Sequence, residues 1–173
     1  MMCTRVEARC ASMHFTKENA MDVKRLLLAL CLGASACAMS GCASPGGGKV
    51  VLRTDKIYPP IGPYSQMVGY GKLIYFSGFA PLNKAGTAIE GATIEEQTKV
   101  VLDYIGAGLE SQGLTYDDVL SSTVYMKDLN EFAAMNGVYA QYFKKDPPAR
   151  ATVEAARLPR DAKIEIAIIA GRR

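Results

Sequence analysis

From about residue 50 onward the apolar positions recur with two periods, near two and near 3.6 residues, and each change of period marks an element. Residues 50–53 form a short apolar run and predict a first strand. Tyr58-Pro-Pro-Ile-Gly-Pro-Tyr-Ser-Gln66, dense in Pro and Gly, predicts a rigid loop ending near Tyr64. Residues 66–70 and 72–77 flank Gly71 and read as a hairpin closed by Ser77-Gly78, with a polar loop over 81–91. Thr93-Ile-Glu-Glu96 fits a capping box ahead of a stripe through Ile94, Val101, Ile105 and Leu109. Gly113 is a left-handed stop beyond it, so a helix is predicted over 93–111. Residues 119–126 have strand chemistry. Asp128-Leu-Asn-Glu131 is a second cap, for a helix through Phe132, Met135, Tyr139 and Phe143, with Asn136 one position off the buried line.

The last 27 residues, 147–173, read as two strands around a turn at 158–161. Pro147 and Pro148 cannot donate to a ladder and mark where the first of them begins. If the two strands pair antiparallel about a centre near Arg157–Leu158, Arg150 stands opposite Glu165 on the same face, with Cβ atoms ~4.5–5.5 Å apart. The plainer reading of that pair is a surface ion pair worth roughly 0–1 kcal/mol. The sharper one makes Arg150 a fork of donors for a substrate carboxylate, with Glu165 holding or activating a water beside it. It requires both side chains on one side of the sheet. A carboxylate so close to Arg also has a lowered pKa. Ser77-Gly78 has two readings as well: a bulge or strand end, or a place where a ligand approaches the backbone. Asn136 reads by itself as a solvated surface amide. The order of elements argues for an α+β fold, a mixed β-sheet with two helices packed on one face.

Composition narrows the chemistry. An apolar share of 49% and a charged share of 21% are ordinary for a globular domain, and 173 residues suffice for one domain plus an extension. All five cysteines (Cys3, Cys10, Cys31, Cys37, Cys42) and the single His14 fall in the first 42 residues. From Ala43 onward, Ser-His-Asp and Cys-His nucleophile systems, Cys/His zinc sites and disulfides are therefore excluded. Catalysis there rests on carboxylates, Arg, Lys, Tyr, hydroxyls, backbone groups and water. The same stretch holds 15 Lys and Arg against 14 Asp and Glu, and shows none of the basic clustering that nucleic-acid binders carry.

The leader has its own pattern. Met21-Asp-Val-Lys-Arg25 precedes a 13-residue small and apolar run, residues 26–38, too short to span a bilayer comfortably. It leads into Met39-Ser40-Gly41-Cys42, which resembles the lipobox of bacterial lipoproteins and would make Cys42 the lipidated residue, the protein's only membrane attachment. A core helix or a mis-set start codon is the alternative. With the leader used, the protein belongs to the cell envelope; without it, to the cytoplasm. Residues 43–48 read as a flexible tether and 49–173 as the folded domain.

Several motifs together, Ile61-Gly-Pro-Tyr-Ser-Gln66, Phe76-Ser-Gly78, Val124-Tyr-Met-Lys-Asp-Leu-Asn130, Pro148-Ala-Arg150, Val153-Glu-Ala-Ala-Arg-Leu-Pro159 and Ile164-Glu-Ile166, resemble the RidA/YjgF family in order and spacing. The resemblance implies a chorismate-mutase-like fold and a homotrimer with sites in the clefts between subunits. It implies hydrolysis of reactive enamine/imine intermediates such as 2-aminoacrylate to 2-keto acids and ammonia, in the manner of a 2-iminobutanoate/2-iminopropanoate deaminase, without a cofactor or metal. Carried onto these positions, it has Arg150 clamping the substrate carboxylate, Glu165 positioning water and moving protons, and Tyr64 covering the pocket. Asn136 would line that pocket, and backbone groups around Ser77, Gly78 and Thr152 would orient the substrate. The chemistry suits a sparse site, because an imine carbon is already electrophilic and needs orientation and a poised water more than a strong nucleophile.

Two positions depart from the family's pattern: Thr152 stands where Cys is common, and Phe79 where Gln is frequent after Ser-Gly. Both are expected near the pocket. An envelope-tethered trimer that binds small carboxylates, or acts as a chaperone, without turnover is the alternative function. RNA cleavage, which some family names suggest, fits a near-neutral domain without His least well.

Overall fold

A computed structural model describes residues 48–173. The lipobox-like stretch with Cys42, and all of the tether but Gly48, lie outside the described residues. Six strands and two main helices follow in the order β1 (Val50–Leu52), β2 (Met67–Tyr70), β3 (Leu73–Phe76), α1 (Ile94–Ser111), β4 (Val119–Met126), α2 (Phe132–Tyr142), β5 (Ala149–Glu154) and β6 (Ile164–Gly171). Among the described residues no helix is long and apolar enough to cross a membrane.

Local chemistry explains most of these boundaries. The capping box at α1 is formed: the Glu96 N–H donates to the Thr93 hydroxyl at 3.2 Å, and the Glu96 carboxylate accepts from the N–H groups of Ala92 and Thr93 at 2.7 and 3.2 Å. At the other end Gly113 takes φ +70°, a conformation that costs glycine little, and the Leu114 N–H reaches back to the Leu109 carbonyl at 3.0 Å. Asp128 caps a 3-10 turn, Leu129–Glu131, rather than α2 itself, which starts at Phe132.

The sheet order is β1-β2-β3-β6-β4-β5, with every pair antiparallel except β4 and β5. One face is core. Ile164, Ile166, Ile168 and Ala170 of β6 are buried there with Val124 and Met126 of β4, under Val101, Leu102 and Ile105 of α1 and Met135 and Tyr139 of α2. Both helices lie on this face, as the element order implies. Among the described residues no helix covers the other. There Val51, Tyr75 and Val153 are exposed, while Ala167, Ile169 and Tyr125 are half-buried around Glu165.

The C-terminal hairpin expected from the sequence is not formed. β5 runs parallel to β4, joined to it through α2 as a crossover, and β6 returns between β3 and β4. The physical reason is burial. β6 alternates branched residues that fill the core, so it takes a central place, whereas β5 follows two prolines, carries mostly exposed side chains and suits an edge. Period reveals which face a residue joins, but not which strand lies alongside.

This changes the relation between the two residues on which the chemistry rests. Arg150 pairs with Ser122 and Glu165 with Tyr125, three positions apart on β4, and an odd separation puts them on opposite faces. The same-face pairing of Arg150 with Glu165 is therefore overturned within one chain.

Candidate active site in two halves

The Glu165 half is built around a bulge. Tyr75 pairs with Ile169 and Phe79 with Ile166, so the β3 side spends one residue more than β6, at Ser77-Gly78. Glu165 lies directly over Gly78: a Cβ there would stand 1.9 Å from the Glu165 Oε1 atom. Only glycine leaves room for the carboxylate in this position. Ser77 is fastened to the preceding loop, its N–H and hydroxyl both donating to the Gln66 carbonyl at 3.1 and 3.2 Å. Gln66 is itself buried and pins that loop by donating to the carbonyls of Thr54 and Tyr58.

A pocket of about 280 Å³ gathers Tyr58, Tyr64, Leu82 and Pro159 around Ser77, Gly78 and Glu165. Tyr64 is partly exposed, and its hydroxyl accepts from the Ile61 N–H at 3.2 Å, which fixes the ring and leaves its own proton unused. Glu165 is half-buried, and burial raises its pKa above the ordinary carboxylate range. The lowering expected from a neighbouring arginine is overturned for the single chain, because Arg150 lies across the sheet. Phe79 stands beside this pocket without lining it. Its side chain is buried in the core, where its ring meets that of Tyr58 edge-on at 6.1 Å, while its chain neighbours Gly78 and Ala80 line the pocket. Tyr58 itself was not legible as a site residue. It is 2% exposed, and its hydroxyl accepts from the Ala80 N–H at 3.0 Å.

The Arg150 half lies on the helix-covered face, at the open edge. A second pocket, about 480 Å³, takes in Asn136, Tyr139 and Phe143 with Pro147, Pro148 and Arg150. The guanidinium carbon of Arg150 sits 4.6 Å from the centroid of the Tyr139 ring and 5.7 Å from that of Phe132. Among the described residues Arg150 enters no ion pair, so its donors remain open.

Thr152 joins this half through its backbone. The Ala155 N–H bonds to the Met126 carbonyl at 2.8 Å, so odd-numbered residues of β5 turn to β4. The N–H and C=O of Arg150 and Thr152 therefore point to the free edge. The Thr152 hydroxyl is buried without a partner, as are those of Ser122 and Tyr139.

The sequence-derived set thus divides cleanly. Tyr64, Ser77, Gly78 and Glu165 share one half, and Asn136, Arg150 and Thr152 share the other. Each half carries one charged group, and the two charges are opposite. Among the described residues no group of three or more His, Cys, Asp or Glu gathers closely enough to hold a metal ion.

In sequence and in fold the chain is similar to known proteins. The family model described as Endoribonuclease L-PSP matches residues 54–171. Over 122 residues the chain is 48% identical to a RutC family protein of Saccharolobus solfataricus, covering 70% of this chain and 97% of the relative. It is 38% identical to the chloroplastic Reactive Intermediate Deaminase A of Arabidopsis thaliana, covering 70% of this chain and 65% of the relative. Among solved structures, the YjgF gene product of E. coli superposes with a TM-score of 0.67 at 40% identity, over 72% of this chain and 99% of that one. E. coli TdcF with bound serine gives 0.68 at 35% identity, with the same coverage of 72% and 99%.

Proposed function

The chain belongs to the endoribonuclease L-PSP family, that of the RidA, YjgF and RutC proteins, and on that footing we propose that it hydrolyses reactive enamine and imine intermediates of the 2-aminoacrylate type to 2-keto acids and ammonia. One observation carries the reading: among the described residues an unpaired guanidinium and an unpaired, half-buried carboxylate occupy two separate pockets of complementary charge. They lie on opposite faces of one chain, so the complete site takes its Arg150 half from one copy and its Glu165 half from a second, in the clefts of a homotrimer. The uncovered apolar sheet face around Glu165 supports such an assembly, since exposed patches of this kind favour a partner surface.

In the assembled site the Arg150 fork holds the substrate carboxylate with two parallel N–H···O bonds. Water adds to C2 of the imine while Glu165 takes its proton, giving a carbinolamine. Glu165 returns that proton to the nitrogen and then accepts the hydroxyl proton as the C–N bond breaks, so that ammonia departs and the C=O of the keto acid forms. One water enters and one ammonia leaves, with no oxidation or reduction. Tyr64 shields the pocket from solvent, Asn136 lines it, and the main chain at Ser77, Gly78 and Thr152 aligns the planar substrate. Rate comes mainly from orientation, as an electrophilic imine carbon allows.

The test couples the purified protein to a serine or threonine dehydratase and follows keto-acid release. Release should quicken with the protein, and Arg150→Ala should abolish the effect without changing its assembled size. Equal activity in that variant ends the proposal. Carboxylate binding that depends on Arg150, with no turnover, would instead leave a tethered binding trimer. The RNA cleavage named in the family's description draws least support, because neither pocket clusters the Lys and Arg that phosphate chains require.

A further inference from the structure

The sheet face that carries Arg150 holds more polar chemistry than the reaction uses. Ser122, 1% exposed, is the register partner of Arg150 on β4, and Thr152 stands one pleat further along β5 on the same face. Tyr139 of α2 places its ring 4.6 Å from the guanidinium. Among the described residues the hydroxyls of Ser122, Tyr139 and Thr152 are all buried, and none meets a partner in full hydrogen-bond geometry, although the Ser122 hydroxyl lies close to that of Tyr139. Ser122 and the Arg150 charge are nonetheless near enough to Tyr139 to oppose the burial that raises its phenol pKa. An unpaired buried hydroxyl costs about 1–3 kcal/mol, and Phe, Ala or Val would fill the same space without that cost. Stability of the fold therefore does not account for three of them beside one open arginine.

We propose that Tyr139 is the positioning residue of the carboxylate-binding half, its ring face fixing the plane of the Arg150 guanidinium so that the fork points at the substrate. The claim rests on the reading of Arg150 as the carboxylate anchor. A guanidinium enclosed by a second copy loses its water, and an electron-rich ring face on one side offsets part of that loss. It also removes rotamer freedom that a long side chain would otherwise give up on binding. The effect falls on binding of the carboxylate in ground and transition states alike, so it appears in KM and not in kcat.

The test measures calorimetric binding of 2-oxobutanoate, the stable keto acid, to the full-length protein. Tyr139→Leu should weaken binding at least about five-fold, and Tyr139→Phe, which keeps the ring, should rescue it. Pentafluorophenylalanine at position 139 preserves shape but reverses the charge distribution of the ring face, so it should weaken binding as Leu does even if the Leu variant folds poorly. In the imine assay the weakened variants should show raised KM and unchanged kcat. Binding by the fluorinated variant as tight as by the Phe variant overturns the inference and leaves the Arg150 reading standing, as does a Phe variant as weak as Leu. Wild-type binding by Arg150→Ala overturns both.

Discussion

Arg150 and Glu165 face opposite sides of a single sheet, because their partners on β4, Ser122 and Tyr125, stand three positions apart. Alternation of side chains makes that parity decisive. Neither charge can neutralise the other within the chain, and each sits in a pocket that lacks its counterpart. Joint action of the two therefore needs two copies.

Gly78→Ala tests the Glu165 half. The added Cβ would meet the carboxylate at 1.9 Å, yet Gly78 is not in the left-handed region and the contact is the far end of a side chain. The fold should survive with a melting temperature within a few degrees of wild type, while Glu165 swings away from its place. Misplacing a catalytic group by about 1 Å costs up to about 100-fold, so kcat/KM should fall at least ten-fold. A variant of full activity would show that the position of Glu165 over Gly78 is immaterial.

Burial alone raises the pKa of Glu165, and a guanidinium brought in by a second copy lowers it. Carbon-13 NMR of the Glu165 carboxyl should therefore give a higher pKa in Arg150→Ala than in the wild-type assembly. In that variant the folded state holds its proton more tightly than the unfolded chain does. The stabilising contribution is then complete below the ordinary glutamate range and is lost as pH rises through the raised value. Adding Glu165→Gln should remove that decline in melting temperature. Identical Glu165 titrations with and without Arg150 would contradict proximity of the two groups.

Much of this was legible in the residues. The capping box at Thr93, the stop at Gly113, the turn at Gly71 and strand 119–126 are local chemistry, and local chemistry fixed them. Arg150 and Glu165 stood out because the domain has no His or Cys to do the work. Their relation did not, since a strand's neighbours depend on how much core each strand can fill, and one intervening strand changes the parity. Tyr139 was readable as a buried position but not as the platform under Arg150. The ring serves the helix-covered core and the pocket at once, and a 3.6-residue period registers only the first role.

The lipobox-like Met39-Ser40-Gly41-Cys42 predicts a lipid on Cys42. Cells fed a labelled fatty acid should incorporate label into the wild-type protein and not into Cys42→Ser, which should leave the membrane fraction. A single acyl chain binds membranes only weakly, so firm retention implies more than one. Label retained by Cys42→Ser, or absent from the wild type, would contradict this.

Inter-subunit complementation tests the shared site most directly. Arg150→Ala and Glu165→Ala should each be inactive, and co-assembled in equal amounts they should recover about one quarter of wild-type activity, because in a closed head-to-tail ring a quarter of the clefts join an intact Arg150 to an intact Glu165. Mixed assemblies, verified by mass, that show no activity beyond that of the two variants alone would contradict the account.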